Sequence, residues 1–241
     1  KVTITNYHGF CKGLLKKYGY LISDSLKKDV NLFHAIGDHD AERQWILKAV
    51  LSTTDIQVLK EMDASIKEAR VPSGEAIQAY NQIVIQKLLP HEYITHNAVI
   101  LFVLDILARF PEVKKFYQSY YPLIVVDEFQ DTNCIAWELL KSIISDQTQL
   151  LFLGDPLQRI YGFIGALPNI MSTVVDEYQM TKISLSKNYR FRNNPEMLKL
   201  DRNVRENATA LFSPTISHED IANVPAFWGL SQQEEAGKAA A

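Results

Sequence analysis

The sequence has little of what marks secreted, metal-stapled or membrane-spanning proteins. Its two cysteines, Cys11 and Cys134, lie far apart and outside any C-x-x-C or Cys/His cluster, which argues against a disulfide framework or a zinc site. The longest apolar run, residues 98–104, is far shorter than the roughly 20 residues that a membrane span needs. No cationic-then-apolar leader is visible, as would also be the case in an internal fragment. Two reduced thiols fit the cytoplasm best, and we expect no membrane partner.

Neither sign of charge dominates. The 241 residues carry 25 Lys and Arg against 28 Asp and Glu, a formal net charge of −3. This balance excludes a protein that coats nucleic acid by bulk positive charge, although it allows a local basic groove. With 47% apolar and 22% charged residues, the composition is that of a globular protein.

The first half of the chain has mostly helical patterning. Val2–Thr5 is short and β-branched, which predicts a strand. Residues 20–93 have apolar spacing typical of helices, including a helix over Asp40–Met62 and one that begins after the N-cap Ser73. The run Asn97–Phe110 predicts a strongly apolar helix that ends at a proline, and that proline can begin the next helix.

After residue 120 the pattern changes to strands alternating with helices. Leu123–Val126 predicts a strand buried on both faces of a parallel sheet. Leu150–Leu153, Lys182–Leu185 and Val224–Phe227 are further strand candidates. This alternation predicts an α/β fold with a parallel sheet.

Two adjacent acids follow the first of these strands. Asp127 and Glu128 lie at its carboxyl end, the edge of an open α/β sheet where ligands bind. One acid can hold Mg²⁺ and the other can orient or deprotonate a water molecule. Asp131 can either join them or act as the N-cap of the next helix. Taken alone, an acidic pair after a strand is more often two solvated side chains, and the extended string with Gln130 and Asp131 shifts the balance toward a functional site.

Four segments together carry a family resemblance. The first, L-I-V-V-D-E-F-Q-D-T-N at residues 123–133, resembles the Walker B motif of the superfamily 1 DNA helicases of the UvrD/Rep/PcrA type. Residues 153–166, L-G-D-P-L-Q-R-I-Y-G-F-I-G-A, resemble its motif III, and residues 185–191, L-S-K-N-Y-R-F, resemble its motif IV. Residues 5–11, T-N-Y-H-G-F-C, resemble the segment that precedes the helical insertion. The order and gaps are those of the family.

The resemblance implies a partial RecA-like P-loop NTPase sheet with a helical insertion and the start of a second RecA-like domain. Residues 1–20 and 95–190 would form part of motor domain 1A, residues 21–94 a 1B-like helical insertion, and residues 191–241 the start of domain 2A. The 241 residues contain no G-x-x-x-x-G-K-[ST] phosphate-binding loop. We therefore expect an internal stretch of a longer motor that is inactive by itself.

The resemblance also implies roles for individual residues in the use of ATP and Mg²⁺. Asp127 would coordinate Mg²⁺, and Glu128, beside the same ion, would activate the water that attacks the γ-phosphate. Gln158 would sense the γ-phosphate. Arg190 would stabilise the transition state as an arginine finger, and Tyr189 would stack on the adenine.

Four further residues would face DNA by the same resemblance. Tyr161 and Phe163 would stack on the bases of single-stranded DNA, and Tyr7 and His8 would lie near its backbone. Their residue types alone also allow rings packed in the core and a histidine bonded locally. Implied partners are single-stranded DNA, single-strand/duplex junctions and proteins of DNA repair, recombination or phage defence.

The function predicted from these motifs is part of an ATP-dependent DNA helicase or translocase. One alternative is a helicase-derived module that binds nucleic acid or protein without ATP turnover. A second alternative is a metal-dependent nuclease that uses Asp127, Glu128 and Asp131 on two ions.

Overall fold

The structure is a computed structural model that describes residues 2–158 and 165–209. The predicted DNA contacts Tyr161 and Phe163 lie outside the described residues, as does the strand candidate Val224–Phe227. The chain divides into two compact units, Lys1–Met180 and Thr181–Ala241, which we describe separately. This division falls after residue 180, whereas the sequence analysis placed the start of the second domain at residue 191.

Helices dominate the described residues. The α-helices are α1 (Tyr7–Tyr18), α2 (Trp45–Lys48), α3 (Thr53–Lys67), α4 (Gly74–Ile83), α5 (His96–Arg109), α6 (Pro111–Tyr120), α7 (Cys134–Ile143), α8 (Ile170–Glu177) and α9 (Pro195–Thr209). A π-helical segment, Val84–Leu88, continues α4. The strands are β1 (His34–Ile36), β2 (Tyr93–Thr95), β3 (Leu123–Val126) and β4 (Gln149–Phe152).

Helix α5 is the centre of the main core. Eight of its residues are buried, from Ala98 to Leu107, and it packs against α1, α4, α6 and α7. Thr95 caps its first turn by accepting a hydrogen bond from the Ala98 N–H at 3.2 Å. Pro111 begins α6, as the sequence predicts, because a proline at the first helical position gives up no intrahelical hydrogen bond.

The strands form two parallel pairs, which confirms the α/β class. In one pair, His34 is in register with Tyr93. In the other, β3 pairs with β4 from Leu123–Gln149 to Val126–Phe152. Helix α7 links β3 to β4 and covers one face of that pair.

The prediction that β3 is buried on both faces is wrong. Leu123 and Val125 each keep 51% of their surface exposed, and Leu151 of β4 beside them keeps 48%. The other face packs against the aromatic side chains around α7. A run of apolar residues indicates a strand, but only covering elements decide how many of its faces are buried.

Two other predicted strands are also wrong. Residues 2–6 have no regular structure, and Ile4 is 94% exposed. Residues 181–188 likewise contain no strand, and Leu185 is 90% exposed. A β-branched segment becomes a strand only where a neighbouring strand takes up its backbone hydrogen bonds and a core covers one face.

The helix predicted over Asp40–Met62 is broken in two. Its first part is a 3-10 helix followed by the four-residue α2, and a new helix, α3, begins at Thr53. A capping box causes the restart, because Ser52 Oγ accepts from Asp55 N at 3.1 Å and Asp55 Oδ2 accepts from Ser52 N at 2.7 Å. The predicted N-cap Ser73 is confirmed by its bond to the Ala76 N–H at 3.2 Å.

A buried polar cluster around Asp38 joins α4 and β2 to α5. In this Asp38 cluster the Tyr80 hydroxyl donates to Asp38 Oδ1 and is hydrogen-bonded to Thr95 Oγ1. Asn97 Nδ2 donates to Asp38 Oδ2 at 2.7 Å. Burial raises the pKa of Asp38 to about 6, although the Tyr80 and Asn97 donors act in the opposite direction. The cluster therefore ties β2, α4 and α5 together through one enclosed carboxyl group.

Within the described residues, every helix is too short or too polar to cross a bilayer.

Candidate active site

The loops that follow β3 and β4 are held together at the carboxyl edge of the parallel pair. Leu153 N donates to Val126 O at 2.8 Å, and Phe129 N donates back to Leu153 O at 2.9 Å. Asp127 and Glu128 lie between these two bonds, with both side chains exposed. The strand pairing thus delivers two carboxylates to solvent on a backbone that is fixed on either side.

A buried aromatic ring anchors this turn. Phe129 has no exposed surface and stacks on Phe152 with ring centroids 4.1 Å apart and an angle of 8° between the planes. Trp137 meets the Phe129 ring edge-on at 5.7 Å. Since such a packed ring resists displacement, the acids immediately before it are held in place.

The backbone turns sharply at Glu128. Its φ of 51° is left-handed, an uncommon conformation for a residue other than glycine. The Glu128 N–H donates to the Asp127 side chain, Oδ1, at 3.0 Å. The neighbouring carboxylates are therefore placed by a specific turn, and such unusual backbone conformations concentrate at functional sites.

The alternative in which Asp131 caps the next helix is wrong. Asp131 lies in the short 3-10 turn Phe129–Asp131. The N-cap of α7 is Asn133, whose Oδ1 accepts from the Ala136 N–H at 2.9 Å. Because Asp131 belongs to this turn, it lies too early to cap α7, and Asn133 is the N-cap instead.

Gln130 is a residue of this edge to which the sequence analysis assigned no role. It is only 2% exposed. Its Nε2 donates to Glu128 Oε2 at 2.7 Å, and its Oε1 accepts from the backbone N–H of Asp155 at 3.1 Å. The one sequence signal for it was its position in the Walker B-like string, between the acids 128 and 131.

The loop after β4 contains the predicted phosphate sensor. Asp155 Oδ1 accepts from Leu157 N at 3.1 Å, and its Oδ2 accepts from Gln158 Nε2 at 2.9 Å. Gln158 is exposed at the end of this turn. The structure thus brings the acidic pair and the Gln158 turn to one edge, linked through Gln130.

Tyr7 and His8 begin α1. The Tyr7 hydroxyl lies 3.1 Å from Thr132 Oγ1, in the segment that follows the acids, and burial raises the Tyr7 pKa to about 12. His8 Nε2 lies 3.2 Å from the backbone oxygen of His96, and burial together with the His96 ring lowers its pKa. His96 was missed by the sequence analysis, which gave no reason to pair the starts of α1 and α5.

Tyr189 and Arg190 belong to the second unit, and both are exposed. Lys187 Nζ lies 4.8 Å from the centroid of the Tyr189 ring. The preceding Asn188 is held by Asp201, whose Oδ2 accepts from Asn188 Nδ2 at 3.0 Å. Asn188 therefore ties the segment that carries both residues to α9 and leaves the two functional candidates at the surface.

The donor set at the strand ends suits magnesium. Asp127 and Glu128 offer carboxylate oxygens, the ligands that this ion prefers, and Mg²⁺ commonly needs only one or two of them besides water and phosphate oxygens. Within residues 2–158 and 165–209, no group of three or more His, Cys, Asp or Glu side chains could hold a metal ion. The two-ion nuclease alternative, which needs Asp131 as well, has no support in this part of the chain.

The α/β fold and the acids at a parallel-strand edge are compatible with an N-terminal domain of a helicase. The sequence model of the UvrD/REP helicase N-terminal domain matches residues 1–179, and the chain belongs to this family.

Curated relatives show the same likeness. The ATP-dependent DNA helicase PcrA of Staphylococcus aureus (strain Mu50) is 26% identical over 208 residues, and this match covers 78% of the chain. The PcrA of Staphylococcus epidermidis (strain ATCC 12228) is also 26% identical, over 207 residues and 80% of the chain. The chain spans 28% of the length of each of these relatives.

Proposed function

We propose that the chain is part of an ATP-dependent DNA helicase or translocase. It would couple Mg-ATP hydrolysis to movement on single-stranded DNA and to unwinding at single-strand/duplex junctions. The observation that carries this proposal is the edge where Asp127, Glu128 and the Gln158 turn lie on adjacent, hydrogen-bonded loops. Family membership and the names of the PcrA relatives support it.

The first unit would contribute three residues to hydrolysis. Asp127, with Glu128 beside it, would hold Mg²⁺, which neutralises charge on the phosphate oxygens when bound. The Glu128 carboxylate would orient the attacking water and accept its proton. Gln158, exposed on the next turn, would donate its amide to the γ-phosphate.

We also propose nucleotide-binding roles for Arg190 and Tyr189. Arg190 carries a fixed positive charge suited to a transferring phosphoryl group, and Tyr189 offers an exposed ring, 61% accessible, for the adenine. On the DNA side we propose contacts from Tyr7 and His8, and stacking by Tyr161 and Phe163.

We propose that β3 and β4 belong to a larger RecA-like parallel sheet. The apolar side chains left open on one face, Leu123, Val125 and Leu151, support a parallel sheet that is covered on both faces in the longer protein. In this proposal residues 1–20 and 95–190 form motor domain 1A, residues 21–94 the helical insertion, and residues 191–241 the start of domain 2A.

A polypeptide of these 241 residues alone is expected to bind ATP weakly and not to hydrolyse it. Positioning supplies most of the catalysis of phosphoryl transfer, and the sequence contains no glycine-rich phosphate loop with its lysine. ATPase turnover by the 241-residue polypeptide that is lost in Glu128→Gln would overturn this expectation. A cytoplasmic location and a role in DNA repair, recombination or phage defence belong to the same proposal.

The proposal is tested by DNA-stimulated ATPase activity of the full-length protein that contains this chain. We expect Glu128→Gln to lower kcat by a factor of about 100 or more while nucleotide binding, followed with a fluorescent ATP analogue, persists. Asp146→Asn is the matched control, because this exposed acid lies before β4, at the opposite end of the pair. Full activity of Glu128→Gln would remove Glu128 from its assigned role.

A further inference from the structure

We propose that Gln130 and Asp155 are positioning residues that join the general base to the phosphate sensor. This inference rests on the proposed function. Glu128, Gln130, Asp155 and Gln158 form a continuous hydrogen-bonded chain, which we call the Gln130 relay. Neither Gln130 nor Asp155 touches the reacting atoms in this scheme; both act through their neighbours.

The relay is built around one buried amide. A glutamine amide donates through nitrogen and accepts through oxygen, and Gln130 uses both ends. Its nitrogen holds Glu128 Oε2 at 2.7 Å and has a longer contact of 3.5 Å with Asp131 Oδ2. Since burying an amide is costly unless its partners are in place, a 2%-exposed Gln130 favours a single arrangement of the Glu128 carboxylate.

The second half of the relay lies in the loop after β4. The Asp155 N–H is held by Gln130 Oε1 at 3.1 Å, and the Asp155 carboxylate holds Gln158 Nε2 at 2.9 Å. Gly154 permits the approach of the two loops, because a Cβ at this position would lie 2.5 Å from Gln130 Oε1. A larger residue there would displace the Gln130 amide.

This geometry makes the two catalytic side chains dependent on each other. When Gln158 leaves Asp155 to donate to a γ-phosphate, the Asp155 turn loses one of its bonds and can adjust. The same turn supplies the N–H that fixes Gln130 Oε1, and Gln130 in turn orients Glu128. The base is therefore positioned according to whether the sensor has engaged a nucleoside triphosphate.

Gln130→Met is the direct test, because it keeps the length of the side chain and removes both hydrogen bonds. In the full-length protein with saturating DNA, we expect kcat for ATP to fall about 10- to 100-fold while KM for ATP changes by less than about threefold. In a Glu128→Gln background, adding Gln130→Met should change the residual turnover by less than about twofold. That non-additivity separates positioning from a merely structural role.

Gln118→Met is the matched control. Gln118 also uses its amide nitrogen within the fold, donating to Ser142 O at 3.3 Å and Ile144 O at 3.1 Å, at the opposite end of the β3–β4 pair. We expect its kcat to stay within about twofold of the wild type.

A second variant keeps the proposal falsifiable if Gln130→Met does not fold. Gly154→Ala changes an exposed residue and pushes the Gln130 amide aside, so it should lower kcat as Gln130→Met does. Wild-type kcat in either variant would overturn the relay but not the proposed function. The same holds if Gln130→Met lowers turnover by the same factor in the Glu128→Gln background as in the wild type. A wild-type protein without DNA-stimulated ATPase activity would overturn the proposed function and the relay with it.

Discussion

Asp38 and Glu128 are both carboxylates that accept a hydrogen bond from a neutral side chain, yet their surroundings are opposite. Asp38 is 3% exposed and is enclosed by Tyr80, Thr95 and Asn97. Glu128 is exposed and is held from one side, by the buried Gln130. The first group is sealed among helices, whereas the second stands at the open edge of a strand pair.

The difference shows that the same chemical group can be enclosed within the fold in one place and open to solvent in another. An enclosed carboxyl group has only protein side chains as hydrogen-bond partners. Replacing it therefore leaves those partners unsatisfied and changes the free energy of folding. A carboxylate fixed on one side and open on the other keeps oxygens available for a metal ion or a water molecule. Three measurements test this contrast.

The largest expected effect on stability is a pH dependence that comes from Asp38. Burial raises its pKa from 3.8 to about 6, so the folded state holds the proton more tightly than the unfolded chain does. The contribution of Asp38 to stability is therefore fully present below pH 3.8 and is lost as the pH rises through about 6. From pH 4 to pH 7 this group should remove about 2–3 kcal/mol from the free energy of unfolding.

Urea unfolding at several pH values measures this slope. Asp38→Asn should remove this pH dependence, because an amide does not titrate in this range. The substitution can also lower the free energy of unfolding at every pH, and that loss does not affect the slope. The other titratable groups that face Asp38 are Tyr80 and Asp63, and both are present in both proteins. Identical pH slopes for the two proteins would contradict the assignment.

A smaller effect is expected from Tyr80→Phe. The change removes the hydroxyl that donates to Asp38 Oδ1 while Asn97 still donates to Oδ2, so we expect a loss of about 1–2 kcal/mol in urea unfolding. Tyr20→Phe is the matched control, because this tyrosine is 53% exposed and its change should cost less than about 0.5 kcal/mol. Equal costs for the two variants would show that the Asp38 cluster does not stabilise the fold.

The smallest expected effect is at the candidate active site. Glu128→Gln replaces an exposed side chain whose amide oxygen can still accept from Gln130, so the free energy of unfolding should change by less than about 0.5 kcal/mol. Thermal and urea unfolding of the variant measure this. A loss above about 1 kcal/mol would mean that Glu128 is a structural residue, and the contrast with Asp38 would fail.

Local sequence patterns predicted several elements well. The apolar run of α5, the proline that begins α6 and the β-branched run of β3 each appear at or within a residue of the predicted bounds. Such signals succeed because helix caps, fixed proline geometry and apolar periodicity act over a few neighbouring residues. The acidic pair at the end of β3 was predicted for the same reason, since it directly follows the strand in sequence.

Features that depend on distant partners were not predictable in this way. Val2–Thr5 has the composition of a strand and forms none, and β3 has one open face that its own residues do not reveal. The Gln130 relay joins residues 25 positions apart, from Gln130 to Asp155, which no local pattern can pair. Cross-strand register brought them together.

The order of the motifs, the family and the kinds of side chain at the candidate site could be read from the amino-acid sequence, because these depend on residue identity and short-range spacing. Which carboxylate is buried, which one is exposed, and which amide connects Glu128 to the Asp155 loop depend on the folded chain. Burial and hydrogen-bond partners are properties of the packed chain, since they arise only when segments far apart in sequence meet.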